Sequence, residues 1–249
     1  MTVADPAAND VPAKPASTVM LLRDVDDGVE VFMLRRTTAA AFAGGMYVFP
    51  GGKVDAVDGD EGSDEAYVIA AIRECFEEAG VLLATDLSGQ MIAEGHPALK
   101  KRQAVYDGEV DLRALCEEHN LTPAVDALVW FSHWITPVGE SSRRFDTRFF
   151  VATAPTSQLW AHDDNETIAS EWVRPTDGLR RQAAGELALM PPTMKSLEFL
   201  ARHRTAAAAL DEARLVGRPE PIQPRLRKDE TGRIRGIAFP GDDDYADLV

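Results

Sequence analysis

The stretch SDEAYVIAAIRECFEEAGV, Ser63 to Val81, carries a helix start, a helix stop and a crowded face of negative charge. Ser63 is an N-cap residue, its short hydroxyl suited to accept an amide of the first turn, and Gly80 stands where a left-handed residue ends a helix over about 64–79. On a 3.6-residue period Val68, Ile69, Ile72, Cys75, Phe76 and Ala79 fall on one apolar stripe, which is expected to face the core. Glu74, Glu77 and Glu78 are spaced i, i+3, i+4 and share a different face.

Three carboxylates on one face repel one another by about 1 kcal/mol per pair even in water at 4 Å. Solvent tolerates such a face, and so does a divalent cation seated on it. The spacing decides between the two. Arg73-Glu74-x-x-Glu77-Glu78-x-Gly80-Val81, with Glu65 eight residues before Arg73, resembles the Nudix box, Gly-x5-Glu-x7-Arg-Glu-U-x-Glu-Glu-x-Gly-U, where U is a bulky aliphatic residue and Cys75 a small departure from it. Seven fixed residues make a chance match on the order of one in a million or rarer. The resemblance implies that Glu74, Glu77 and Glu78 hold Mg²⁺ or Mn²⁺ and that Glu74 is a ligand or the general base. It further implies that Arg73 fixes the carboxylates by pairing, so that Arg73, Glu74 and Glu77 form the catalytic set. Hard oxygen donors at this spacing suit such ions, which neutralise a diphosphate and acidify an attacking water.

Upstream lies YVFPGGKVDAVDGDEG, Tyr47 to Gly62, which offers two starts for the box. Gly59-x5-Glu65 has the required spacing, yet the family's first glycine belongs to a Gly-Gly pair at a strand end, and here that is Gly51-Gly52. Gly51 therefore takes the implied role of backbone-carbonyl metal ligand, and Gly59 falls in a seven-residue insertion between Gly52 and Glu65. Asp55, Asp58, Asp60 and Glu61 lack the third oxygen ligand and following glycine of a calcium loop, so the insertion reads as a solvated acidic loop.

The rest of the 249 residues organises around this centre. Residues 1–15 have almost no large apolar side chain and read as an N-terminal tail. STVMLLRD and VEVFMLRR, joined by Asp26-Asp27-Gly28, read as a β-hairpin. Residues 86–126 form a helical insertion, and LVWFSHWITP, RRFDTRFFVATA and ETIASEWVRP read as strands. Thr176 or Asp177 is expected to cap the next helix, and Pro191-Pro192 to open one long helix through about Arg214. Residues 217–249 form a C-terminal extension with a hairpin at Thr231-Gly232, packed on the body or on a second copy in a homodimer. A Nudix domain over 16–216, an α/β/α sandwich with a mixed sheet, is the fold that the resemblance implies.

The 26 basic against 41 acidic residues leave a net charge of −15, which excludes the basic footprint of a broad nucleic-acid surface. No segment approaches the roughly 18 uninterrupted apolar residues of a membrane span. Cys75 and Cys116 make no disulfide framework and read as buried small hydrophobes in a reducing, cytoplasmic setting. The run RRFDTRFF, with WITP and MPP, is similar to the coenzyme A and acyl-coenzyme A diphosphatase branch of the family. That implies a small nucleoside diphosphate substrate; ADP-ribose, NADH and a non-catalytic nucleotide-sensing module are the alternatives. Arg143, Arg144, Arg148, Arg35 and Arg36 either meet substrate phosphates or pair with this chain's own acids. Glu166 is a candidate late carboxylate of the site. Trp130, Trp134 and Trp172 read as core first and adenine platforms second.

Overall fold

A computed structural model describes residues 11–37, 43–141, 143–160 and 167–248. Strands β1 (Lys14–Val25) and β2 (Gly28–Arg36) form the expected hairpin, with Asp27 in the left-handed region at φ 67° between them. The chain joins the body earlier than its composition suggests. Lys14 and Pro15 already belong to β1, and the Val11 carbonyl accepts a bond from Arg144 Nη1 at 2.8 Å.

The hairpin then splits. β1 and β2 pair only where Leu22–Val25 faces Gly28–Val31, after which the strands part and the segment 47–53 fills the gap. β3 (Tyr47–Val48) pairs with β2 at Leu34 and Arg35, and β4 (Gly51–Lys53) pairs with β1 at Ala16 to Thr18. The glycines at the expected strand end are thus themselves a strand, paired with β1.

Helix α1 (Asp64–Ala79) follows with both expected ends: Ser63 Oγ accepts the Ala66 N–H at 3.1 Å, and Gly80 is left-handed at φ 73°. Next, β5 (Ala84–Thr85) pairs with β6 (Thr122–Pro123), and between them the insertion holds a 3₁₀ turn at Pro97–Lys101 and helices α2 (Arg102–Tyr106) and α3 (Leu112–Glu118). Then come β7 (Val129–Ile135), β8 (Phe145–Thr153), β9 (Thr167–Val173) and α4 (Pro175–Ala183). Helix α4 starts ahead of Thr176 and Asp177, because Pro175, whose missing N–H costs nothing there, takes the first helical position.

The single long helix expected from Pro191 is two, α5 (Pro191–Leu200) and α6 (Ala206–Val216). Thr205 takes extended backbone and caps Ala208, which ends one axis and begins another despite the helix-favouring alanines. Strands β10 (Pro221–Ile222), β11 (Arg225–Lys228) and β12 (Ile234–Ala238) complete the chain, with β11 and β12 antiparallel about the Asp229–Arg233 turn.

The main sheet runs β10-β7-β8-β1-β2-β3, with β4 on β1 and β9 on β2. It is mixed, since β1 is parallel to β8 and β10 to β7 while the other pairs are antiparallel. Strand alternation sends Val19 and Leu21 to one face and Met20 and Leu22 to the other. The first pair joins a core with Ile69, Ile72 and Phe76 of α1, the second a core with Leu197 and Leu200 of α5 and Leu210 of α6. Two helical layers around one sheet make the α/β/α sandwich. Cys75 and Cys116 are buried and unpaired. Among the described residues no helix is long and apolar enough to cross a membrane.

Candidate active site

The splayed hairpin sets the site. The Val19 N–H to Pro50 carbonyl bond (2.9 Å) and the Val54 N–H to Pro15 carbonyl bond (3.0 Å) put Thr18 and Gly51 in a pair that shares no hydrogen bond. The Gly51 amide and carbonyl therefore both face away from β1. The amide donates to Glu78 Oε2 at 2.9 Å, which ties the strand to the last turn of α1. Approach is so close that a Cβ on Gly51 would collide with the backbone of β1 and one on Gly52 with the Glu74 carboxylate. Only glycine fits at position 51, whereas at position 52 a Cβ would displace the Glu74 carboxylate.

Arg73 is the hub. Nε donates to Asp58 Oδ1 at 2.8 Å and Nη2 to Asp58 Oδ2 at 2.9 Å; Nη2 also reaches the Lys53 carbonyl at 2.8 Å. Nη1 donates to Glu74 Oε1 at 2.9 Å and Glu77 Oε1 at 3.2 Å. Those bonds use every N–H of the guanidinium, whose side chain is only 7% exposed. Burial alone would lower the Arg73 pKa, but the Asp58 hydrogen bonds and the charges of Glu74, Asp58 and Glu77 outweigh it and hold the group above its ordinary value. Burial pushes the Glu77 carboxyl up, with Arg73 pulling the other way.

Asp58 corrects the reading of the acidic insertion. Its side chain is 1% exposed and grips Arg73 with both oxygens, so this residue is no part of a solvated loop. It stands six positions after Gly52, the interval the box pattern sets between its glycine and its first acid. Glu65, matched to that acid by spacing from Arg73, is instead 64% exposed and pairs with Arg113 of α3 at 2.8 Å. The extra seven residues thus lie between Asp58 and Arg73. The signal was present in the interval from Gly52, but counting back from the helix hides it.

A cleft of about 730 Å³ opens here, lined by Gly51, Gly52, Arg73, Glu74, Glu77 and Glu78 at the carboxylate end. Among the described residues no three acid, thiol or imidazole groups converge into a ready-made metal nest. Arg73 holds Glu74 and Glu77, while Glu78 takes the Gly51 amide and faces Arg36 at 3.9 Å. The donors still fit a hard cation once the carboxylates turn together, because they are all oxygens and the Gly51 carbonyl faces away from β1.

The arginines divide. Arg143 and Arg36 line the cleft, whereas the exposed Arg35 does not. Arg144 is a structural tie rather than a phosphate receptor: it is buried and donates to the Thr136 and Val11 carbonyls at 3.1 and 2.8 Å. Arg148 lies over Tyr67 and Trp130 at 3.7 and 4.3 Å from the ring centroids and pairs with Asp64 at 2.5 Å, while His133 takes Asp146. Glu166 lies outside the described residues. Trp134, read as core, forms part of the cleft wall as well.

Comparison with known proteins gives the family. The family model described as the NUDT19 Nudix domain matches residues 58–200. The Caenorhabditis elegans protein provisionally named nudix hydrolase 7 is 30% identical over 218 residues, covering 87% of this chain and 70% of its own. Acyl-coenzyme A diphosphatase NUDT19 of Xenopus laevis is 26% identical over 276 residues, covering 87% and 71%. The human protein of the same name is 26% identical over 229 residues, covering 70% and 61%. Among solved structures, a NUDIX hydrolase from Alicyclobacillus acidocaldarius superposes with a TM-score of 0.71 at 26% identity, covering 81% of this chain and 97% of that one. With the family model spanning more than half of its length, the chain belongs to the Nudix hydrolases, enzymes that cleave diphosphate linkages.

Proposed function

We propose that this enzyme hydrolyses the diphosphate of a nucleoside diphosphate joined to a second group, with coenzyme A or an acyl-coenzyme A as the favoured substrate, in a reaction that depends on Mg²⁺ or Mn²⁺. The observation that carries the reading is the saturated Arg73, which holds Glu74 and Glu77 side by side against the Gly51-Gly52 strand. Glu74, Glu77, Glu78 and the Gly51 carbonyl would hold the cation. When bound, it supplies charge neutralisation at the diphosphate and a more acidic water.

The chain's own groups do the positioning. Asp58 fixes Arg73, and Arg73 keeps Glu74 and Glu77 close enough to turn together onto the cation. Glu74 is a ligand or the base that takes the water's proton. Arg143, which lines the cleft, would meet a phosphate oxygen. The coenzyme A preference rests on the activity for which the Xenopus and human relatives are named. The two buried, unpaired cysteines suit a reducing compartment such as the cytoplasm.

The test is product analysis with coenzyme A, ADP-ribose, NADH and a dinucleoside polyphosphate, each with Mg²⁺, Mn²⁺ or chelator. The expected result is turnover that the chelator abolishes and that Glu77→Gln lowers by about a hundredfold or more. Turnover of no diphosphate, or an unimpaired variant, would overturn the reading.

A further inference from the structure

The end of α1 that carries the carboxylates is electrostatically a poor place for them. Glu74, Glu77 and Glu78 crowd toward the negative end of the helix dipole, and the last turn has no basic residue of its own. Its carbonyls also need donors, because the final four of any α-helix lack an intrahelical partner. The Gly80 amide serves the Phe76 carbonyl, and that of Glu77 is served from outside the helix.

The donor is Arg102 Nε, at 2.9 Å. Arg102 opens α2 in the helical insertion, and Val105, one turn on, packs into the core that holds Ile72, Cys75 and Phe76 of α1. Burial pushes the Cys75 thiol up and Glu78 adds to this, while the Arg102 charge pulls the other way, so that charge reaches into the end of the catalytic helix. Tyr106, four residues after Arg102 and on the same face of α2, lines the cleft.

The last turn is thus held from two sides. From the sheet, the Gly51 amide takes Glu78; from the insertion, Arg102 takes the Glu77 carbonyl.

We propose that Arg102 is a positioning residue: by capping the Glu77 carbonyl it holds the last turn of α1 so that Glu77 and Glu78 can close together on a divalent cation. This rests on the reading above of those carboxylates as cation ligands. The helical insertion is then a working part of the site, acting through the backbone of α1.

Two effects of losing Arg102 run in opposite directions and can be told apart by sign. Removing a positive charge near the carboxylates would by itself tighten the binding of a cation, whereas releasing the turn would weaken it. The experiment titrates the protein with Mn²⁺ in the absence of substrate, reading the free ion by electron paramagnetic resonance, for wild type, Arg102→Met and Arg102→Lys. The midpoint of such a titration, unlike its amplitude, does not depend on what fraction of a variant is folded. The expected result is binding about tenfold weaker than wild type in Arg102→Met, or in Arg102→Gln should the first not fold. Arg102→Lys, whose ammonium keeps the charge and can still reach the carbonyl, should lie between. At saturating Mn²⁺ the neutral variant should also lose about tenfold in kcat with KM little changed. Mn²⁺ binding as tight as wild type or tighter in the neutral variant would overturn this inference and leave the diphosphatase reading standing. Wild type that binds Mn²⁺ but turns over no diphosphate would sink that reading alone, and wild type that binds no Mn²⁺ would sink both.

Discussion

Arg73 and Arg227 are bound in nearly the same way and are worth very different amounts. Each grips one aspartate with two nitrogens: Arg73 takes Asp58 at 2.8 and 2.9 Å, and Arg227 takes Asp244 at 2.6 and 2.7 Å. Arg73 adds Glu74 and Glu77 where Arg227 adds Asp242, and each also reaches a backbone carbonyl, Lys53 for one and Ile237 for the other. The Arg73 side chain, however, is 7% exposed and that of Arg227 39%. Water and salt can replace the partners of the second and not those of the first. Valence alone therefore says little; burial decides what a broken contact costs.

Asp58→Ala gives the sharpest contrast. It leaves the buried Arg73 Nε without an acceptor and frees the guanidinium from the loop, and the expected loss is about 3–5 kcal/mol of unfolding free energy by denaturant titration. Turnover should fall with it, since Glu74 and Glu77 lose their fixed partner, and Asp58→Asn should recover part of both. Wild-type stability in Asp58→Ala would break the comparison. Gly52→Ala is expected to cost less in stability, about 1–3 kcal/mol, because only the Glu74 carboxylate must move. Its mark is kinetic: kcat should drop while the thermal midpoint shifts modestly.

Arg181 and Glu171 form an intermediate case, bidentate at 2.8 and 3.0 Å and partly exposed. Burial would raise the Glu171 pKa, but the hydrogen bonds from Arg181 and Tyr47 and the Arg181 charge hold it below the usual value. A depressed folded-state pKa stabilises above the unfolded value and stops doing so as pH falls through the folded one. The stability gap between wild type and Glu171→Gln should therefore be about 1 kcal/mol or less near pH 7 and close below about pH 4. Parallel melting curves across that range decide it. Smallest of all, Arg227→Gln should melt close to wild type in low salt and indistinguishably from it in molar salt.

The same distinction explains what could be read from residues alone. Helix α1 was legible because its cap, stop and stripe are all local, and the carboxylate spacing within it is local too. The β1–β2 hairpin was legible for the same reason. Asp58 was not, because its partner is 15 residues away across an insertion, and Asp55, Asp60 and Glu61 beside it look the same in sequence. Arg143 and Arg144 are likewise identical letters; only the fold sends one to the cleft and the other to the Val11 carbonyl. Thr205 divides α5 from α6 inside a run of good helix formers, and nothing short of the tertiary packing forces that division. One wall of the cleft needed the C-terminal hairpin in place, since Pro224 and Ile237 reach it from beyond the last helix.

The interval between Asp58 and Ser63 has a use of its own. Asp58 anchors the chain before it and Ser63 anchors it after, so the span between them can change length without shifting α1. Each doubling of such a span costs only about 0.6 kcal/mol in closure entropy. Gly59 through Gly62 is thus a natural splice port at the start of α1, where a peptide can be grafted without moving the helix.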